Sequence, residues 1–161
     1  MDAERYMRRA MELADRAAAL GEVPVGAVIV KRESGVVVGE GYNRREIDKR
    51  ALAHAELMAI DDACQRLGGW RLPDCALFVT LEPCPMCSGA IIQARIDEVY
   101  FGASDPKSGA VVSVQQMFEL PYNYKPQVFA GILREECSAQ LSAFFRQLRA
   151  VKKQKQQREQ S

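Results

Sequence analysis

Cys75-Ala76-Leu77-Phe78-Val79-Thr80-Leu81-Glu82-Pro83-Cys84-Pro85-Met86-Cys87 changes character half-way along. Its first seven residues are an apolar, β-prone run that predicts a strand, and Pro85 suits the opening of a helix. Cys84 and Cys87 stand three apart, which puts both thiols on one face of that first turn. The helix is expected to run from 85 to about 95, and 98–102 reads as a further strand. Strand, ligand-bearing helix and strand compose a βαβ unit, whose strands are parallel and whose crossover is right-handed. Open sheets of this kind place functional groups at the carboxyl ends of their strands, which is where the two thiols fall.

Upstream lies His54-Ala55-Glu56, which contains the only histidine of the chain, 30 residues before Cys84. Zinc takes thiolate sulfur and imidazole nitrogen readily, and a catalytic site keeps one tetrahedral position open for water. His54, Cys84 and Cys87 fill three positions. Two thiolates cancel the charge of the ion, so the metal acidifies its water only weakly and a nearby base has to help. Glu56 is that base: a carboxylate that need not be a ligand and can carry a proton from water to a ring nitrogen and a departing amine. Residues two apart in a finished helix diverge by about 200°, so His54 and Glu56 face one metal only where loop turns into helix. An apolar helical pattern through Leu57, Met58, Ile60 and Leu67 begins there. Both ligand sets thus sit at helix N-termini, where free N–H groups and the positive dipole end favour anions. A lone Cys-x-x-Cys is equally half of a structural zinc site or a redox pair, and a lone His-x-Glu arises by accident; the combination, in this order, is the signature of zinc nucleobase deamination. Cys64, Cys75 and Cys137 read as small buried apolar residues.

The rest of the chain supplies the frame. Residues 4–20 carry Tyr6, Met7, Ala10, Leu13, Ala14 and Ala17 at helical spacing, with Gly21 as the cap. Residues 25–31 and 36–42 are β-rich and joined through Glu33-Ser34-Gly35, an antiparallel hairpin. Residues 127–130 read as a fifth, shorter strand and 134 to about 153 as a last helix. At 161 residues and 48% hydrophobic content, residues 1–151 are expected to form one domain, with 152–161 as a basic, disordered tail. Five cysteines, two in a metal pattern, fit a reducing compartment better than a disulfide framework. The first residues lack a signal-peptide core and no apolar run approaches a bilayer span, so a cytoplasmic protein without a membrane partner is expected.

The chain resembles the bacterial tRNA adenosine deaminases, which convert the wobble adenosine of the anticodon to inosine, within the cytidine-deaminase-like superfamily. The resemblance covers nearly the whole length. It rests on Glu22-Val23-Pro24-Val25-Gly26-Ala27-Val28, Gly41-Tyr42-Asn43-Arg44, Ala53-His54-Ala55-Glu56, Thr80 to Ala90, and Phe144-Phe145-Arg146. The thiol run is shared with guanine deaminases; the last segment is more telling of substrate. What the resemblance implies is a three-layer α/β/α fold with a mixed five-stranded sheet and helices on both faces, one Zn2+ per subunit, no nucleotide cofactor, a homodimer and a tRNA anticodon loop as partner. It also implies that Asn43 and the backbone at Ala55 contact the target nucleoside, and that Asp105, Lys107, Phe145 and Arg146 contact RNA. Two departures stand out. Val111-Val112-Ser113 replaces small residues with a glycine before the serine, and valine resists positive φ, so that loop is expected to differ in shape. Tyr124 stands where an Asn-His pair is frequent, and a tyrosine stacks on bases but forms no imidazolium.

Bland readings accompany these assignments. Asn43 also suits a turn that closes a strand, and 102–109 an ordinary polar turn. From Phe144 onward Arg146, Arg149, Lys152, Lys153, Lys155 and Arg158 face one acidic residue, Glu159, which suits phosphate or a solvated helix end alike. Phe144 and Phe145 are adjacent, so one packs inward while the other faces RNA or a second subunit. Hydrolytic deamination of wobble adenosine is the reading these residues favour. A free nucleobase or nucleoside deaminase uses the same four residues, and a non-catalytic zinc-stabilised RNA-binding module has no use for Glu56.

Overall fold

The computed structural model describes residues 1–160. Helix α1 (Ala3–Ala19) starts behind Asp2, whose carboxylate accepts the Arg5 amide at 3.2 Å, and the chain leaves it through Gly21 at φ +82°. Strands β1 (Gly26–Lys31) and β2 (Val37–Tyr42) form the expected antiparallel hairpin, with a bulge between Ile29 and Val30. A short helix α2 (Arg45–Asp48) precedes α3 (Ala55–Leu67), which ends on Gly68 in the left-handed region. Strand β3 (Cys75–Leu81), helix α4 (Pro85–Gln93) and strand β4 (Glu98–Ala103) form the βαβ unit, and β3 and β4 are parallel. Strand β5 (Gln127–Ala130) and helix α5 (Arg134–Gln160) close the chain.

The five strands run in the order β2-β1-β3-β4-β5, antiparallel across the first two pairings and parallel across the last two. Alternation along each strand feeds two cores. Ala27, Ile29, Leu77, Val79, Val99 and Phe101 pack with α3 and α4, while Val28, Val30, Ala76, Phe78 and Tyr100 pack with α1 and the start of α5. The fold is therefore the expected three-layer α/β/α arrangement with a mixed sheet.

Glycine sets the distance between layers on the side that carries the metal ligands. A Cβ at Gly41 would lie 2.4 Å from the Ala55 carbonyl oxygen, and one at Gly39 would lie 2.5 Å from that of Ala59. Helix α3 therefore rests directly on the β2 backbone, and its first turn is fixed against the sheet. On the opposite face Phe78, Tyr100 and Phe129 stand in register on β3, β4 and β5 and stack at 4.4 and 4.5 Å. Each such pair contributes about 0.5–1.5 kcal/mol beyond its buried area.

The structure departs from the sequence reading in three places. Helix α2 is not expected from the sequence, because the groups that hold it are remote: the buried Glu22 carboxylate accepts the Glu46 and Ile47 amides at 3.0–3.1 Å. The expected disordered tail is helical as far as Gln160, since Lys, Gln, Arg and Glu are strong helix formers and no Gly or Pro interrupts them. Ser161 lies outside the described residues. Tyr124 is not placed to stack on a base at the metal end: its hydroxyl donates to Asp97, which precedes β4 at the opposite end of the strand.

Candidate active site

Sequence alone puts each ligand at a helix start, and the backbone shows how. His54 is the N-cap of α3 in an extended conformation at ψ 150°, so Glu56 is only the second residue of the helix. Cys84 is likewise the N-cap of α4, with Pro85 in the first turn and Cys87 two residues further on. Neither cap side chain accepts an amide of its own helix, so His54 and Cys84 are left to face each other.

They converge. The His54 Nδ1 atom lies 3.7 Å from Cys84 Sγ and 3.5 Å from Cys87 Sγ, and the three ligand atoms all fall within 4.8 Å of one another. A tetrahedral zinc with Zn–N near 2.0 Å and Zn–S near 2.3 Å separates nitrogen from sulfur by about 3.6 Å. The three residues fit that ion, and no fourth His, Cys, Asp or Glu completes the group among the described residues. The open corner belongs to a catalytic site rather than a structural one.

Electrostatics single out Cys84 as the anionic sulfur of the group. The Cys84 thiol falls to about 4, first through its hydrogen bond from Cys87, against burial, and then through His54. Cys87 is pushed up by that same pairing and by burial, and His54 is raised chiefly by its contact with Cys84. Glu56 is 4% exposed, and burial pushes its carboxyl up to about 7. A carboxyl in that range takes and gives a proton near neutral pH.

The ligands and Glu56 sit at the base of a cavity of about 480 Å³. Asn43, His54, Ala55, Glu56, Cys84, Asp105, Lys107 and Phe145 line it, whereas Cys87 lies buried beneath and Arg146 lies outside, on the exposed surface of α5. Asn43 is held by the backbone: its Nδ2 donates to the Val23 carbonyl and its Oδ1 accepts the Arg45 amide, both at 3.2 Å. Its amide nitrogen has two hydrogens, so one donor remains. Asp105 Oδ1 accepts the Lys107 and Ser108 amides at 3.1 Å, which makes its own turn. Phe144 is half-buried and meets Phe145 edge-on at 5.5 Å, and Phe145 reaches the cavity beside Leu141.

Sequence reasoning missed Val23, Arg45, Ser104 and Leu141 as lining residues. Val23 and Ser104 belong to stretches already singled out, but Arg45 and Leu141 carry no local mark of function. It also missed Glu82, which is 2% exposed and accepts hydrogen bonds from the loop after β4. Burial acts to raise this carboxyl, yet the Ser113 hydroxyl and the surrounding amides hold it below the usual range. No residue from 109 to 113 takes a positive φ, so Val111 and Val112 are accommodated without backbone strain.

Known proteins are similar to this chain in sequence and in fold. Residues 1–103 match the family model described as the cytidine and deoxycytidylate deaminase zinc-binding region. A tRNA-specific adenosine deaminase of Bacillus subtilis (strain 168) is 47% identical over 93% of this chain and 92% of that relative. The chain belongs to the tRNA-specific adenosine deaminases. Among solved structures, one from a study of A-to-I editing by tRNA:A34 deaminases at the wobble position of transfer RNA superposes with a TM-score of 0.81 at 42% identity, covering 84% of this chain and 98% of that one. A guanine deaminase from Nitrosomonas europaea shares the fold more distantly, with a TM-score of 0.74 at 26% identity over 88% of this chain and 83% of that one. The fold is thus common to the tRNA-specific adenosine deaminases and to this guanine deaminase, and similarity in sequence separates them.

Proposed function

We propose that this protein deaminates adenosine to inosine hydrolytically at the wobble position of a tRNA anticodon, in the cytoplasm, using one zinc per subunit. The observation that carries the chemistry is a buried carboxyl, Glu56, with no salt-bridge partner among the described residues, beside a three-ligand site that leaves one corner open. The RNA substrate is supported by tRNA-specific adenosine deaminases at 44–47% identity over most of the chain.

His54, Cys84 and Cys87 would hold the zinc, which when bound would supply an activated water for attack on the carbon bearing the amino group. Glu56 takes one proton from the attacking water and passes it to the ring nitrogen, then carries the second, from the hydroxyl now on the attacked carbon, to the amino group, which departs as ammonia. Asn43 donates its remaining N–H to the nucleoside, and the first turn of α3 at Ala55 presents backbone to the base. Lys107 and Phe145 meet the flanking nucleotides at the mouth, one by charge and one by stacking. Asp105 shapes that mouth through its turn, and Arg146 contributes charge from outside the cavity. The target base must leave its stack, which costs little in an anticodon loop that is already partly unstacked. The protein acts as a homodimer, a reading supported by the exposed apolar groove between α3 and α4, where Leu52, Leu57, Met58 and Trp70 meet Ala90.

The test is incubation of the zinc-loaded protein with a transcribed tRNA bearing adenosine at the wobble position, beside free adenosine, cytidine and guanine. Inosine in the tRNA without ammonia from the free compounds is the expected result. Ammonia from free guanine with unmodified tRNA would overturn the RNA assignment and leave the metal chemistry standing.

A further inference from the structure

Two buried carboxylates border the cavity, and they differ in how their oxygens are used. Glu56 has no salt-bridge partner among the described residues and lies beside the ligands. Glu82 is saturated. Its Oε1 accepts the Asp105 amide at 3.1 Å and the Ser113 hydroxyl at 2.5 Å, and its Oε2 accepts the amides of Val111, Val112 and Ser113 at 3.2, 2.8 and 2.9 Å. A carboxylate so engaged has no lone pair left for proton transfer, but it gathers both ends of one loop onto a single point.

That loop builds part of the cavity wall. Ser104, Asp105, Lys107 and Ser108 line the mouth, and the same segment is tied to the ligand turn by the Ala110 amide, which donates to the Pro83 carbonyl at 2.9 Å. Glu82 itself is anchored to the sheet, its amide donating to the Ala103 carbonyl at 2.9 Å. Gly109 passes so close that a Cβ there would lie 2.3 Å from the Glu82 carboxyl carbon. Four backbone amides and a hydroxyl converging on a group 2% exposed is more than a surface turn requires. The donors come from residues 105 and 111–113, so removing the carboxylate leaves several buried N–H groups unpaired at once.

We infer that Glu82 is a positioning residue for substrate: it fixes the 104–113 loop against the Cys84 turn, so that the RNA-facing wall stands at a set distance from the zinc ligands. The inference rests on the deaminase reading above. Glu82 acts through the loop and not on the reacting atoms, so its loss weakens recognition of RNA far more than it slows a bound adenosine.

The experiment compares wild-type protein with Glu82→Gln, Gly109→Ala and Ser113→Ala, each loaded with zinc and assayed on an anticodon stem-loop bearing the wobble adenosine. Glu82→Gln is expected to raise KM about tenfold or more with a smaller change in kcat and full zinc content. Gly109→Ala, which displaces the loop while keeping Glu82, is expected to reproduce that split, and Ser113→Ala to give a milder form. Hydrogen exchange on the same samples is expected to show faster exchange at the amides of 105 and 111–113 with α3 and α4 unchanged. If Glu82→Gln keeps both KM and loop protection at the wild-type level, or loses kcat and zinc with KM unmoved, the positioning role is wrong. Should Glu82→Gln not fold, Ser113→Ala and Gly109→Ala decide the matter by the same two readouts. A wild-type protein that makes no inosine sinks the deaminase reading instead, and the exchange data still show whether Glu82 orders the loop.

Discussion

Glu56 and Cys87 illustrate how two buried residues a few ångströms apart do separable jobs. Cys87 is fully buried on α4 and gives its sulfur to the metal group, whereas Glu56 contributes no atom to that group and carries a carboxyl raised by burial to about 7. Glu56→Ala is therefore expected to retain one zinc per chain and the folded state while kcat falls by about 10²–10⁴. Metal analysis and inosine formation measured on one preparation check this, and undiminished turnover disproves the proton shuttle. Cys87→Ala should behave oppositely, losing zinc along with activity, because two remaining ligands hold the ion poorly.

At the scale of elements, the seating of α3 on β2 and the reach of α5 matter most. The α3 backbone rests on Gly39 and Gly41, and Ala55, whose carbonyl faces Gly41, directly follows His54. Gly41→Ala forces the helix start outward. It is expected to cost about 1–3 kcal/mol in urea unfolding and to weaken zinc binding in a competition titration. A variant of unchanged stability would show that the layer spacing is slack. Helix α5 packs only through its first turns: Cys137 is buried, Gln140 donates to the Met11 carbonyl and to Asp15, and every residue from 145 to 160 is exposed. It spans about 40 Å, so its basic end stands clear of the sheet. Truncation after Val151 is expected to weaken tRNA binding and to flatten the salt dependence by roughly one unit for each phosphate that is no longer neutralised. Fluorescence anisotropy across a salt series reads the slope, and an unaltered slope assigns the segment to solvent.

For the molecule as a whole, the ligand group draws on two helices that start from different parts of the chain, with α3 following β2 and α4 following β3. A ligand that binds only the folded state stabilises it by mass action, so chelation is expected to lower Tm and zinc to restore it. Calorimetry with and without chelator settles this, and an unmoved Tm argues against occupancy of the site. The apolar groove between α3 and α4 is expected to be covered by a second copy. Sedimentation should then give twice the chain mass, and Leu57→Glu should give the monomer; a wild-type monomer at tens of micromolar refutes the dimer.

Much of this is written locally. His54, Glu56, Cys84 and Cys87, the helices they open and the strands before them follow from residue type, spacing and periodicity, because metal ligation and helix starts are short-range constraints. The helical end of α5 is open to the same reasoning, yet its dense charge suggests disorder where its helix propensity prevails. Helix α2 and the loop after β4 are not legible at all. Each is held by one buried carboxylate, Glu22 for the former and Glu82 for the latter, across 23 to 31 residues of intervening chain. Sequence shows such a residue only as a charge in an apolar neighbourhood. Which amides it collects, and hence which wall of the cavity it builds, is decided when the sheet brings distant segments together and excludes the water that would otherwise satisfy them.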